Sequence, residues 1–407
     1  MKVIILPSKI SGEIDAPKSK SIAIRILFGS LLNNITLREE VPGSNDVKAA
    51  YNSIIEMGVY HEGNKLKKPY SINLNKKFFA GGSATVARIL SSLILTLGGN
   101  AIIDGDETLR KRPFDGLIKL AKITNSEVNG NSLPIKLSSK GIKDYIEIPE
   151  LESSQYITGL MYGFAYKGYG VIKLKSRVPS FSYIMLTMDL LNDIGCKIKY
   201  EDNEIVVEKC LKKDYETSFP GDYLLSSFYA VSSLLTGGLT IIHNLYKASN
   251  YFGDHKIVDI LSDIGVKSKL DNGNWIIKSE NLENLRVNVD DSPDMAMSLA
   301  PLGVKVEVTL DGINRLKIKE SDRIKSIKDV MEKFGSIVSI KDNTINIKPN
   351  KINKAEIDCN NDHRVAMMAA SISFLSGGII NNAECIGKSD PKHWDRYEKL
   401  GGKIKVE

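Results

Sequence analysis

Ser19-Lys20-Ser21, followed by Ile22-Ala23-Ile24-Arg25-Ile26-Leu27-Phe28, sets the pattern from which the fold is read. A polar cluster opens a small-residue apolar segment, here Ile22 to Leu32, and the chain repeats this about every 70 residues. The other openings are Gly82-Ser83, Ser153-Ser154-Gln155, Gly221-Asp222, Asp291-Ser292-Pro293-Asp294 and Asn361-Asp362-His363-Arg364. The segments that follow, such as Val365 to Leu375, are apolar nearly all round, which predicts buried helices. Helix N-termini carry unpaired backbone N–H groups and partial positive charge. Several of them converging on one cleft would bind anions, phosphate above all.

A second unit recurs between these segments: an amphipathic helix, a glycine near its end, then two short strands around a turn. Ser180 to Glu208 shows it, with Asp193-Ile194-Gly195 closing the helix and Glu201-Asp202-Asn203 as the turn. Phe252 to Ser279 and Lys319 to Pro349 repeat it; Asn45 to Leu74 and Arg112 to Ser138 are looser copies, and Asp390 to Val406 is truncated. Glycine suits a left-handed helix cap, and Asp-Asn-Gly suits a hairpin turn. The chain is therefore expected to be a sixfold repeat in two α/β domains of three units each, with the hinge near Ser218-Phe219-Pro220-Gly221.

The 407 residues exceed what one core usually serves, which agrees with two domains. With 42% apolar and 26% charged residues the composition is that of a soluble globular protein. The net charge of +6 is spread along the chain, and no aromatic-and-basic run marks a nucleic-acid surface. No apolar run reaches the ~20 residues that span a bilayer, and the apolar stretch after Met1 is too short for a signal peptide. The four cysteines form no C-x-x-C pair and show no metal-ligand spacing with the five histidines. No metal is expected, and the reading is a cytoplasmic protein with reduced thiols.

The chemistry concentrates at the helix openings. Lys18, Lys20 and Arg25 put cations at the start of a helix whose walls are too apolar for an exposed face. Lys319 and Arg323 are four apart and are expected to share a helical face, where they repel by a few tenths of a kcal/mol unless an anion sits between them. Glu320 beside them could move a proton. His363-Arg364 at a buried helix start is costly unless partnered. Either Asp291 or Asp294 could cap the next helix, or act as a base in a cation-rich cleft. Taken singly, each cluster reads equally well as a cap or a solvated charge run.

Together the motifs resemble the 5-enolpyruvylshikimate-3-phosphate synthase family over nearly the whole chain. In order they are Lys20-Ser21 with Arg25, Gly81 to Arg88, Arg112-Pro113, Ser153-Ser154-Gln155, Ser180 with Tyr183, Pro293-Asp294, Lys319-Glu320 with Arg323, Asp362-His363-Arg364 and Asp390-Pro391-Lys392. The resemblance implies a two-domain inside-out α/β barrel, each domain of three βαβαββ repeats, with the active site in the inter-domain cleft. Residues 14–219 would form one domain, mainly the shikimate 3-phosphate side. Residues 1–13 with 220–407 would form the other, mainly the phosphoenolpyruvate side.

The implied reaction moves the enolpyruvyl group of phosphoenolpyruvate to the 5-hydroxyl of shikimate 3-phosphate by addition and elimination, without a cofactor. By motif match Lys20, Asp294, Glu320 and His363 are catalytic. Lys20, Ser21, Arg25, Ser153, Ser154, Gln155, Ser180, Tyr183, Asp294 and Lys319 would hold shikimate 3-phosphate. Lys20, Ala84, Arg112, Gln155, Glu320, Arg323, Arg364 and Lys392 would line the phosphoenolpyruvate site. The partners are then these two small molecules alone, with no nucleic acid and no membrane, and the family implies a monomer.

Two positions depart from the family pattern. Gly82-Ser83-Ala84-Thr85 stands where the family usually has Asn-(Ala/Ser)-Gly-Thr, and the Ala84 methyl implies weakened binding of glyphosate. Arg315 or a neighbour stands where the family places a substrate-contacting asparagine. The related transferase acting on UDP-N-acetylglucosamine usually has Lys-Asn in place of Lys20-Ser21 and a loop cysteine near Gly105 to Arg112, whereas no cysteine here precedes Cys196. A catalytically dead binding protein would be expected to lack Lys20, Asp294 or Glu320.

Overall fold

The computed structural model describes residues 1–176, 178–246 and 253–407, so Phe252, at the head of one repeat, lies outside the described residues. The chain divides into two compact units, Lys20–Phe219 and Met1–Ser19 with Pro220–Glu407. Each carries three four-stranded sheets of one topology: a parallel pair, then two antiparallel neighbours.

One repeat shows how the sequence builds this. Strand Lys77–Phe79 pairs in parallel with Gly99–Asp104, and a helix, Ala84–Leu97, makes the crossover. An outer helix, Asp115–Ile123, leads to the hairpin of Glu127–Val128 and Ile135–Ser139, whose second strand joins Gly99–Asp104. This is βαβαββ, the expected unit.

The buried helices begin where the polar clusters predict: α1 (Lys20–Gly29), α2 (Ala84–Leu97), α3 (Gln155–Lys167), α4 (Tyr223–Thr236), α5 (Met295–Leu299) and α6 (His363–Ser376). Ser83, Asp222 and Asp362 cap α2, α4 and α6 through their side chains. From Tyr223 to Leu235, every residue of α4 is buried. Helices α2 and α3 cross closely because α3 has glycine at the contact. A Cβ on Gly159 would lie 2.6 Å from the Ile89 carbonyl oxygen, so a larger residue there would push the helices apart. The fifth helix is shorter than its apolar run. Pro301 lacks a backbone N–H, and after Leu299 the chain tightens into a 3₁₀ turn, Ala300–Val304.

The N-terminal segment completes the second unit. Strand Lys2–Leu6 lies between Gly378–Asn381 and Lys403–Val406, antiparallel to both. Gly12–Asp15 pairs in parallel with Leu239–His243. The chain then stays with this unit past residue 13, through the Ala16 N–H bonded to His243 and the Ser19 N–H bonded to Pro220, so the break falls after Ser19. Tyr215–Thr217 pairs in parallel with Ile35–Leu37, closing the unit Lys20–Phe219 upon its own first repeat.

The expectation of four reduced thiols is corrected for two of them, because Cys196 and Cys210 form a disulfide. Gly195, with φ +109°, turns the chain out of helix Ser182–Ile194 into strand Lys197–Glu201. That strand pairs with Glu204–Glu208, Lys197 opposite Glu208, so the two cysteines just beyond the hairpin's open end meet. Sequence spacing alone does not show that register. Cys359 and Cys385 remain free and buried. Among the described residues no helix is long and apolar enough to cross a membrane.

Candidate active site

In the unit Lys20–Phe219 the expected residues other than Arg112 lie in or just before the first two turns of α1, α2 and α3 and of helix Ser182–Ile194. Lys20 Nζ lies 2.9 Å from Asp46 Oδ2, in the first turn of helix Asn45–Glu56. Arg25 is 1% exposed and its guanidinium is fixed from several sides. Nε donates to Thr187 Oγ1 at 2.8 Å, Nη1 to the Ser21 carbonyl at 2.8 Å and Nη2 to the Tyr183 carbonyl at 3.4 Å. The Tyr183 ring faces the same guanidinium at 5.4 Å, and Thr158 of α3 lies 3.2 Å from Thr187. Ser180 is buried with φ +53°, a conformation that non-glycine residues seldom adopt and that collects at functional sites.

Ser153 and Ser154 are buried at the entry to α3, with Ser153 Oγ accepting from the Gln155 N–H at 3.3 Å. Gln155 spans to α2: its Nε2 donates to Thr85 Oγ1 at 2.7 Å and its Oε1 accepts from Arg88 Nη1 at 2.9 Å. Arg88 in turn lies over the rings of Phe114 and Tyr156, 5.5 Å from each. Ala84 is buried as the first residue of α2. Before it, a Cβ on Gly82 would come within 2.8 Å of Asp106 Oδ2, so the family's asparagine would have to displace the Asp106 carboxylate. Arg112 is half-buried on the loop between helix Glu107–Arg110 and Phe114.

In the other unit Asp294 is the centre. Its Oδ1 accepts from Arg323 Nη1 at 2.6 Å and lies 3.2 Å from Lys319 Nζ; its Oδ2 lies 3.5 Å from Arg364 Nε. Arg323 also donates to Glu320 Oε2 at 2.7 Å, and Nε and Nη2 reach Asp362 Oδ2 and Oδ1 at 2.9 and 3.1 Å. Asp362 accepts further from Ser321 Oγ and, as cap of α6, from the Arg364 N–H, both at 2.9 Å. Three cations and three carboxylates thus interlock. His363 is buried, with Nδ1 4.0 Å from Asp362 Oδ1. Lys392 is exposed at the start of a short helix, α7 (His393–Lys399), and among the described residues it makes no ion pair with the cluster. Lys388, on the same approach, donates to the Asn361 carbonyl at 3.0 Å. Arg315 donates to the Asp290 carbonyl at 2.9 Å.

The electrostatics follow from these distances. Burial pushes the Asp294 carboxyl up, but Lys319, Arg323 and Arg364 outweigh it and hold it well below the usual carboxylate range. Burial also raises Asp362, and Arg323 more than reverses this. Burial pulls the Lys319 ammonium below its usual range despite Asp294. Arg323 is lowered by burial but raised further by Asp362, Glu320 and Asp294, so it stays charged.

One expectation about this cluster is corrected. Lys319 and Arg323 do not share a helical face, because the helix starts only at Arg323 (Arg323–Lys333), with Asp322 as its cap. Lys319 is extended after the 3₁₀ turn Asn314–Ile318. The anion that relieves their repulsion is Asp294 itself.

A family model for EPSP synthase (3-phosphoshikimate 1-carboxyvinyltransferase) matches residues 5–397. The chain belongs to this family. The 3-phosphoshikimate 1-carboxyvinyltransferase of Sulfurisphaera tokodaii is 42% identical over 407 residues, covering 99% of each chain. That of Saccharolobus islandicus is 40% identical, covering 100% of both. Among solved structures, EPSP synthase from Acinetobacter baumannii superposes with a TM-score of 0.76 at 19% identity over 100% of both chains, a likeness of fold. The enzyme is thus a 3-phosphoshikimate 1-carboxyvinyltransferase, which transfers the enolpyruvyl group of phosphoenolpyruvate to shikimate 3-phosphate in aromatic amino-acid biosynthesis. The cell-wall enolpyruvyl transferase is set aside.

Asp46, Arg88, Thr187 and Asp362 bond to residues expected in the site, and none of the four was itself read as a site residue from sequence. Asp362 had a signal, an acid directly before a buried His-Arg pair. Asp46 and Thr187 lie on ordinary amphipathic helices and carry none.

Proposed function

We propose that Asp294 is the base that takes the proton of the 5-hydroxyl of shikimate 3-phosphate. The observation that carries this is the Asp294 carboxylate held at once by Lys319, Arg323 and Arg364. In the free site those cations make it a weak base. Phosphoenolpyruvate brings its anionic groups to Arg323 and Arg364, and shikimate 3-phosphate engages Lys319, which shares the cations' field and raises the proton affinity of Asp294 when it is needed. Glu320, hydrogen-bonded to Arg323 and acting in its protonated form, delivers a proton to the methylene carbon, and His363 assists it. The 5-oxygen bonds to C2 of phosphoenolpyruvate, giving a tetrahedral intermediate. Return of a methyl proton to the Glu320 carboxylate and departure of phosphate restore the double bond in the product.

Arg112, Arg323, Arg364 and Lys392 hold the phosphoenolpyruvate anions and stabilise charge on the departing phosphate, with Ala84 at the wall. Ser21, Arg25, Ser153, Ser154, Ser180, Tyr183 and Lys319 hold shikimate 3-phosphate. Gln155 touches both substrates, and Lys20 contacts both and assists proton transfer. The unit Lys20–Phe219 serves mainly shikimate 3-phosphate and the other mainly phosphoenolpyruvate. The family resemblance supports a monomer, and both substrates are soluble metabolites, which supports a cytoplasmic enzyme. The test is phosphate release from phosphoenolpyruvate by purified protein. Release that requires shikimate 3-phosphate and is lost in Asp294→Ala and Lys20→Ala is expected; unchanged release in either variant refutes its assigned role.

A further inference from the structure

Behind Lys392 lies a buried polar network that the reaction does not use. Tyr229 of α4, fully buried, places its Oη 2.7 Å from Asp390 Oδ2 and 2.8 Å from His393 Nδ1. Asp390 is 3% exposed and His393 fully buried. The other Asp390 oxygen, Oδ1, accepts from Arg396 Nη1, and Arg396 Nε donates to the Asp15 carbonyl at 3.1 Å. The Tyr397 ring lies tilted against that of Tyr229, 4.7 Å between centroids, and its Oη meets Ser232 Oγ at 2.7 Å.

The proton positions follow from donor counting. Burial pushes the His393 imidazole below its usual range, more than Asp390 raises it, so the ring is neutral and carries one N–H. Asp390 as a carboxylate only accepts, so the single Tyr229 hydroxyl proton goes to Asp390 Oδ2. Tyr229 Oη must then accept, which puts the imidazole proton on Nδ1; Nε2 has no hydrogen-bond partner. The chain of donation runs His393 to Tyr229 to Asp390. One phenolic oxygen therefore grips the two residues that flank Pro391-Lys392. Backbone bonds from the His393 N–H to the Asp390 carbonyl and from the Arg396 N–H to the Lys392 carbonyl, both 3.1 Å, close the turn.

We infer that Tyr229 is a positioning residue for Lys392, acting through Asp390 and His393 to fix the direction in which the lysine leaves the turn. A buried carboxylate among α4 and α7 costs more than an apolar replacement would, so stability alone does not account for it. A long, exposed lysine loses much rotamer freedom when it grips an anion, and a fixed starting point reduces that cost. The inference rests on the assignment of Lys392 to phosphoenolpyruvate.

The experiment is steady-state phosphate release by Tyr229→Phe, Lys392→Ala and the double variant. Tyr229→Phe is expected to raise KM for phosphoenolpyruvate about tenfold, with kcat and KM for shikimate 3-phosphate within about twofold. In the Lys392→Ala background it should add nothing. An unchanged phosphoenolpyruvate KM in Tyr229→Phe, or effects that multiply in the double variant, would overturn the inference. If Lys392→Ala itself leaves that KM unchanged, the assignment of Lys392 fails first, and the inference with it. Should Tyr229→Phe fold poorly, His393 gives the same answer. His393→Asn keeps an N–H near the Nδ1 position and should retain the KM, whereas His393→Leu should raise it; equal values in the two would overturn the inference.

Discussion

Arg323 and Asp362 face each other through two parallel hydrogen bonds, Nε to Oδ2 at 2.9 Å and Nη2 to Oδ1 at 3.1 Å, with side chains 1% and 0% exposed. The fork-to-fork geometry leaves Arg323 Nη1 aimed at Asp294. Asp362 also caps α6, so the helix that carries His363 and Arg364 and the arginine that faces Asp294 are set by one carboxylate.

Asp362→Asn should therefore cost stability as well as activity. The substitution removes the two-bond partner of Arg323 and leaves it Asp294 and Glu320, a loss of about 3 kcal/mol, the low end for a broken buried pair. Asp362 has a folded-state pKa below its unfolded value, about 4. Its contribution is fully present above that unfolded value and is lost as the pH falls through the folded one. Urea midpoints of wild type and variant should differ by a constant amount from about pH 7 to 5 and converge below about pH 4. A gap unchanged to pH 3 would show that the ion pair is not its source.

Asp294→Asn keeps the size of the side chain and removes its basicity. The turnover number should fall by about 10²-fold or more, the usual weight of a general base, while the fold survives. Single-turnover formation of product distinguishes this from slowed release. A turnover number within about threefold of wild type would rule Asp294 out as the base.

Arg25→Lys cannot reproduce the planar fork that serves Thr187, Ser21 and Tyr183. KM for shikimate 3-phosphate is expected to rise about tenfold, with a stability loss of about 2 kcal/mol from unmet buried acceptors. KM for phosphoenolpyruvate should move far less. Equal increases for both substrates would mean that Arg25 organises the whole unit and not one pocket.

Ala84 puts a buried methyl at the first position of α2. Ala84→Gly should strengthen inhibition by glyphosate about tenfold, because the inhibitor is bulkier than phosphoenolpyruvate there and one methyl at a packed wall is worth about 1–3 kcal/mol. Submicromolar inhibition of the wild type, unchanged in the variant, would contradict it. Gly82→Asn should not restore the family arrangement, since Asp106 occupies that space.

The repeat was legible because burial and turn chemistry act locally. An all-apolar segment such as Val365 to Leu375 has no polar face to show to water, and Gly195 or Asp202-Asn203 fixes a turn whatever lies nearby. The motif residues were legible as cation clusters at helix starts. What the sequence did not show depends on contacts across the unit. The Cys196–Cys210 link needs the hairpin register. The Asp46 partnership with Lys20 needs two helices brought together. Lys319 and Arg323 have helical spacing, yet Asp322 starts the helix between them. The short α5 was readable, since Pro301 stands in its run.

Strand Lys2–Leu6, seated between Gly378–Asn381 and Lys403–Val406, sets an order in which the molecule can be made. The strands of Lys20–Phe219 all lie within that unit, so it can close once Thr217 has left the ribosome. The first strand cannot. Both its neighbours arrive at the far end of the chain, roughly 20 to 80 s later at ordinary rates of synthesis. Through that interval Val3 and Ile5, which end with no exposure, stay in water on an unpaired strand, the kind of edge that recruits other chains. Lys2, Pro7 and Lys9 beside it are the residue types that discourage such pairing. Residues made well before the rest of their unit are thus among the last to find their place.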